Sequence, residues 1–283
     1  MTVASGARSV RSLEYGETFH PVVGPMAEAR GLHVAQSRLV ERLAVGEGPF
    51  LIWDVGLGAA ANAIAALETV LNAEPARDVE LHSFDSTAVP LEFAAGHAEE
   101  LGYLAGWLSP VKELLANGST NAGPVSWHFH RVDFCDFVRA PTVPAPHAIL
   151  YDPYSQAVSP EMWTLEHFSR LRKCLAYGPP CTLTSYTRST AVRVTLLLAG
   201  FFVGRGGAIG EKDQTTVAAT QRELLAEPLG VDWLNRVERS TRGAPLREGV
   251  SAGRISPQEF AALRAAIAGD WERARLLPSA ATD

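Results

Sequence analysis

The sequence predicts an α/β protein built on a doubly wound, mostly parallel sheet of seven strands, and three observations carry that expectation. Short apolar runs alternate with helix-forming stretches between residues 50 and 187; parallel strands need long crossover connections, and helices supply them. The first run, "FLIWDVG", breaks on a glycine and passes into the Ala-rich "AAANAIAALETVLN", which reads as strand, tight turn and helix. Near the end of the core, two β-type runs in "AGFFVGRGGAIGEKDQTTVAAT" (199–220) are joined by a glycine-rich link too short for a crossover helix, so they must pair antiparallel.

The elements follow in order. After the strand at 50–56 comes "VELHSFD" (79–85), which ends on an acid. "VSWHFHRVDF" (125–134), "HAILYD" (147–152) and "CTLTSYT" (181–187) supply the third to fifth strands, with helical stretches such as "EMWTLEHFSRLRKCLA" (161–176) between them. The antiparallel terminal hairpin brings the count to seven. A Rossmann-like parallel sheet that finishes in one reversed strand is the arrangement of class I methyltransferases, not of nicotinamide dehydrogenases. Residues 1–45 form an N-terminal element in which the loop "GETFHPVVGPMAEAR" leads into a helix near 26–44. Residues 46–220 are the core, and 221–283 a helical tail. In the tail, Ser256, Pro257 and Glu259 match an N-cap, a first-turn proline and a capping-box acid, followed by Phe260, Leu263, Ile267 and Trp271 on one stripe. That stripe is expected to dock on the core or on a second subunit, making the protein a monomer or homodimer.

Composition narrows the function. The 283 residues carry a formal charge of −6, which argues against a surface that binds nucleic acid by bulk attraction to phosphate. Cys135, Cys174 and Cys181 show no C-x-x-C spacing, so neither a metal site nor a disulfide framework is expected. No long apolar run follows the N-terminal charges and no later stretch of 18 apolar residues lacks breakers; the reading is a cytoplasmic protein without signal peptide or membrane span.

The chemistry gathers at the strand ends. Gly56 and Gly58 let a ligand touch backbone, and the helix after them offers free N–H groups. With Ala61 they satisfy G-x-G-x-x-G/A, a weak fingerprint by itself. Asp85 ends the second strand, where an acid accepts from ribose hydroxyls; it supports a nucleoside without choosing one. Asp54 helps to choose, because a carboxylate there would repel pyrophosphate and attract the ammonium of S-adenosylmethionine. Asp133 can accept from an adenine amino group with Phe134 packed nearby, or it can cap a helix. The fourth strand ends in "LYDPYSQ". There Asp152 suits a carboxylate set against an attacking nitrogen, and Pro153 and Tyr154 suit contact with the flat group that carries it; the same residues are also good turn chemistry. An NAD-type oxidoreductase and a non-catalytic S-adenosylmethionine-binding module remain as competing readings.

Several of these stretches resemble the methyltransferase domain of the MnmC-like enzymes, which methylate the aminomethyl group on the wobble uridine of certain tRNAs. "DVGLGAAANA" aligns without gaps to the family's E-x-G-F-G-x-G-x-N-F, keeping Gly56, Gly58 and Asn62 and replacing Glu by Asp54. "LYDPYSQAVSPEMWT" (150–164) matches F-L-D-G-F-A-P-x-x-N-P-x-M-W-T at Asp152, Pro160, Met162, Trp163 and Thr164. The likeness runs from about residue 15 to 220 and includes "SYTRSTAVRVTLLLAGFFVGRGGAIGEKD". It implies S-adenosylmethionine held by Asp54, Gly56, Gly58, Asn62, Asp85, Asp133 and Phe134, with Asp152 beside the amine and tRNA as partner. The departures remove positive charge where phosphate contact is expected: Ser155 to Ser159 replace Ala-Pro-x-Lys-Asn, and Glu211-Lys212-Asp213 stand for a basic run. No flavin-binding oxidase half accompanies the domain, so terminal methylation alone is expected. His20 reads as a surface loop residue, Trp163 as packing, and Arg188 with Arg193 as either an anion site or a solvated face.

Overall fold

The structure is a computed structural model that describes residues 1–20, 22–73, 77–210, 213–250 and 252–269. Its centre is one sheet of eight strands: β1 (Phe50–Val55), β2 (Val79–Asp85), β3 (Ser119–Ala122), β4 (Val125–Arg131), β5 (Ala148–Tyr151), β6 (Thr182–Ser185), β7 (Phe202–Gly206) and β8 (Thr215–Ala219). They lie in the order β3-β4-β2-β1-β5-β6-β8-β7. Strands β4, β2, β1, β5 and β6 run parallel. β8 is antiparallel to both β6 and β7, so the reversed strand lies inside the edge strand of the hairpin. This is the class I methyltransferase arrangement with one strand more than the seven expected. The extra strand, β3, pairs antiparallel with β4 through the turn at Gly123 (φ +57°). Its sequence, Ser-Thr-Asn-Ala, has no apolar alternation because it is a short edge strand that buries Thr120 alone.

All six residues of β1 are buried, as a central parallel strand flanked by layers on both faces requires. From β1 the chain steps outward through β2 to β4, then returns to the other side with β5 and β6. That reversal opens a crevice at the carboxyl ends of β1 and β5, where Asp152 N–H donates to the Val55 carbonyl at 2.9 Å. The tips of β1 and β5 therefore form one surface.

The helix expected near 26–44 is broken in three. Pro25–Ala29 is α-helical, Arg30–Val34 is a π turn, and Arg38 takes a left-handed φ of +54° before Leu39–Leu43. The π turn coincides with His33, which is fully buried with Nδ1 2.8 Å from Thr184 Oγ1 of β6. A wide turn commonly marks a residue pulled out of helical register by tertiary contact.

The tail joins the core. Trp233, Leu234 and Val237 of helix Val231–Arg239, and Leu263 of helix Pro257–Ala268, belong to the same apolar cluster as Trp53, Ile149 and Phe168. The Ser256–Glu259 capping box is present, and Phe260 and Ile267 pack against that cluster. Trp271 lies outside the described residues. Among the described residues no helix is long and apolar enough to cross a membrane.

Candidate active site

A cleft of about 490 Å³ opens over the tips of β1, β2, β4 and β5, a size that suits a small-molecule ligand. Its floor is the turn after β1. Gly56 has φ +89°, and a Cβ there would lie 2.5 Å from the Asp152 carbonyl oxygen, so the two strand tips touch through a position that only glycine fills. At Gly58 (φ +50°) a Cβ would meet the Phe19 ring at 3.2 Å, which brings the N-terminal element over the turn. Helix Ala61–Leu71 follows without a side-chain cap, leaving first-turn N–H groups for a ligand.

The sequence-predicted acids divide into those that reach the cleft and one that does not. Asp85 lines it, accepting from Gly58 N at 3.0 Å and from Thr87 N at 3.2 Å, which fixes its carboxylate at the end of β2. Asp133 lines it as well, and is at the same time the N-cap of helix Phe134–Phe137, accepting from Cys135 N at 2.7 Å. Phe134 forms part of the wall, packed edge-on against Phe84 at 5.2 Å. Asp54 stands apart. It is fully buried, does not line the cleft, and accepts from Ser83 Oγ at 2.8 Å. Its other oxygen, Oδ1, has no hydrogen-bond partner among the described residues, and burial pushes the carboxyl pKa up to about 7. The carboxyl therefore lies beneath the floor and not in the wall.

The acceptor side is tied down from several directions. Asn62 Nδ2 donates to Asp152 Oδ2 at 2.8 Å, which gives the asparagine of the glycine motif a definite task. The Pro153 carbonyl accepts from Tyr186 Oη at 3.2 Å, and the Tyr154 carbonyl accepts from Trp163 Nε1 at 3.0 Å. Trp163 is buried and is thus a support for the loop, as expected. Ser155 is held by Glu17, whose carboxylate accepts from its hydroxyl and from its N–H at 3.2 Å. The Tyr154 ring packs with Tyr15 at 4.6 Å and Phe19 at 5.9 Å, so an aromatic group stands beside Asp152.

His20 is not on the surface. Its side chain is 11% exposed and stands between two carboxylates, with Nδ1 3.7 Å from Glu28 Oε2 and Nε2 3.9 Å from Asp152 Oδ2. Its backbone adopts φ +48°, a left-handed position uncommon for residues with a Cβ, in which His, Asn and Asp are the side chains most often found. Burial alone would lower the imidazole pKa; the neighbouring carboxylates of Glu28, Asp152 and Asp54 outweigh it, and the net shift is upward. Glu17, Phe19, Glu28 and Tyr186 were not among the sequence-predicted site residues; the signal for the first three was the Pro/Gly-punctuated "GETFHPVVGPMAEAR" itself.

The arginines do not form an anion site. Arg193 is buried and donates to Thr216 Oγ1, Gln214 Oε1 and the Thr215 carbonyl, clamping β8, while Arg188 is exposed and paired with Asp213. Glu211 and Lys212 lie outside the described residues. Cys135 comes within 3.4 Å of His167 Nδ1, yet burial and nearby acids push its pKa up to about 12 while burial lowers His167 to about 4, so the pair is not an activated nucleophile. Among the described residues no group of three His, Cys, Asp or Glu is placed to hold a metal.

The charge of the cleft decides which ligands suit it. Its wall carries Glu17, Glu28, Asp85, Asp133, Asp152 and Glu161, and among the described residues no lysine or arginine. A pyrophosphate would face those six carboxylates, whereas a cationic ligand is attracted. S-adenosylmethionine, with its sulfonium and ammonium, fits this donor set.

A family model described as S-adenosyl-L-methionine-dependent methyltransferase matches residues 131–221. The tRNA 5-methylaminomethyl-2-thiouridine biosynthesis bifunctional protein MnmC of Methylibium petroleiphilum is 28% identical over 234 residues, covering 77% of this chain and 34% of that protein. The protein of the same description from Ectopseudomonas mendocina is 28% identical over 259 residues, covering 86% of this chain and 37% of its own. The chain thus spans little more than a third of the length of these two relatives. The crystal structure of MnmC2 from Aquifex aeolicus superposes with a TM-score of 0.68 at 22% identity, over 95% of this chain and 84% of that one, and shares the fold.

Proposed function

We propose that the chain is an S-adenosylmethionine-dependent methyltransferase of MnmC-like type that methylates an exocyclic or side-chain amine, with the aminomethyl group of a tRNA wobble uridine as the leading acceptor. One observation carries the reading: a carboxylate oriented by Asn62, at the end of β5, shares with the glycine turn a wall of six acids that holds no lysine or arginine among the described residues. When bound, the donor supplies a methyl on a cationic sulfur, whose bond to carbon breaks onto sulfur as the amine lone pair forms the new N–CH₃ bond. The remaining work belongs to the protein. Gly56, Gly58 and the following helix N-terminus accommodate the donor's backbone-facing side, Asp85 suits its ribose hydroxyls, and Asp133 with Phe134 suits its adenine. Asp54 contributes negative charge from below. Asp152 accepts the amine hydrogen and orients the lone pair, and Pro153 and Tyr154 contact the flat group that bears the amine.

The tRNA part rests on the relatives. With six carboxylates inside the cleft and a net charge of −6, phosphates of a polynucleotide must be contacted outside it. The same charge pattern favours, as a second reading, a small cationic amine as acceptor. In either case the enzyme works in the cytoplasm. A nicotinamide dinucleotide is disfavoured, since its pyrophosphate would face those acids. The test is transfer of tritiated methyl from S-adenosylmethionine to tRNA bearing aminomethyl-uridine, beside a panel of small amines. Label in tRNA supports the leading acceptor, label in an amine the second, and label in neither refutes amine methylation.

A further inference from the structure

His20 is placed as a participant, not as filler. It occupies a left-handed backbone position, mildly strained for a residue with a Cβ, and that conformation delivers one ring nitrogen toward each of two carboxylates. Strain of this kind persists where the surroundings require the side chain to be there. The groups facing it are Glu28 from helix Pro25–Ala29, Asp152 from the loop after β5, Asp54 from β1 and His33 from the π turn. His33 is neutral, its pKa lowered to about 3 by burial and by His20 itself. Three acids therefore surround one imidazole, in a cleft whose expected ligands are cations.

We infer that His20, standing between Glu28 and Asp152, is the proton-exchange point of the cleft: it releases its proton when a cationic ligand arrives, and then takes the proton of the acceptor amine by way of Asp152. The inference rests on the amine-methylation reading. In the ligand-free protein the surrounding carboxylates favour the protonated ring. A cation entering the cleft is compensated by the same carboxylates, so the imidazolium loses its stabilisation and gives its proton to solvent. The acceptor then arrives as an ammonium. One N–H bond breaks with its electron pair left on nitrogen, the proton passes to an Asp152 oxygen and from there to His20 Nε2, and Glu28 compensates the new imidazolium. The separations of 3.7 and 3.9 Å are ion-pair distances that one bridging water, or tightening on ligand binding, spans. His20 acts through Asp152 and is a positioning residue for the reaction.

The test is calorimetry in two buffers of different ionisation enthalpy at neutral pH, with S-adenosylmethionine and with S-adenosylhomocysteine, whose sulfur is neutral. The wild type should release more protons with the sulfonium than with the thioether, and His20→Asn, which tolerates the left-handed backbone, should lose that difference. The pH profile of kcat gives a second readout: the acidic limb should disappear in His20→Asn, with kcat lower by roughly 10²-fold, and move to lower pH in Glu28→Gln. Proton release and acidic limb both unchanged in His20→Asn would overturn the inference while leaving amine methylation intact. No heat from either ligand with the wild type would overturn the methyl-donor reading and this inference with it.

Discussion

Replacing Gly56 by alanine tests the joint between the donor turn and the acceptor carboxylate. The new Cβ would lie 2.5 Å from the Asp152 carbonyl oxygen and 3.3 Å from Pro153 Cα, at a backbone φ of +89°. Such contacts essentially never fall below 3.0 Å, and most lie beyond 3.4 Å, so the loop must retreat by about 0.5–0.9 Å. Left-handed alanine adds roughly 1–2 kcal/mol. The Asp152 N–H to Val55 bond at 2.9 Å and the Asn62 to Asp152 bond at 2.8 Å are stretched by the same movement, at roughly 1 kcal/mol each. The total is about 3–4 kcal/mol of stability, or a fall in Tm of roughly 5–7 °C for a chain of this size. Catalysis suffers more, because displacing the carboxylate by close to 1 Å costs roughly 10²-fold in kcat. The assay is urea denaturation together with methyl transfer at saturating donor. Gly96→Ala serves as control, since Gly96 has nothing within 4 Å of its Cβ position. A Gly56→Ala protein with an unchanged midpoint and kcat within about twofold of wild type would refute the claim that this glycine joins the two halves of the site.

Other changes separate the remaining roles. Asp152→Asn keeps size while removing the proton acceptor, so kcat should fall by roughly 10²–10⁴-fold with donor affinity by calorimetry little changed; a coupled loss of binding would instead place Asp152 in the donor site. Asp54 ionises near 7 in the folded chain against an ordinary 3.8. Between those values the folded form holds a proton that the unfolded chain has shed, so stability falls as pH rises through that window. Asp54→Asn should flatten that slope, seen as urea midpoints that differ less between about pH 5 and about pH 8 than those of the wild type. Leu263→Ala, at a fully buried position in the shared core, should cost about 2–5 kcal/mol in chemical denaturation, where a loosely attached tail would show almost none.

Much of the fold was legible because its causes are local. "FLIWDVG" followed by an Ala-rich stretch can hardly be other than strand, turn and helix, and the glycine-rich link at 199–220 left no room for a crossover. Gly56, Gly58, Asn62, Asp85, Asp133, Phe134, Asp152, Pro153 and Tyr154 all reach the cleft because each follows the carboxyl end of a parallel strand. β3 escaped notice because an edge strand needs no apolar face, and the broken helix at 25–43 because the pull on His33 comes from Thr184, far along the chain.

By itself, then, the sequence determined the alternation of strands and helices, the reversed strand and the residues at each strand tip, all of which follow from short-range periodicity and turn chemistry. The tertiary structure alone decided that Asp54 lies beneath the floor, that Arg193 is a clamp, that the tail belongs to the core, and that His20 faces Glu28 and Asp152. Those outcomes depend on burial and on encounters between residues as far apart as His20 and Asp152. Electrostatic partners are set by distance in space, and no local pattern in a chain records it.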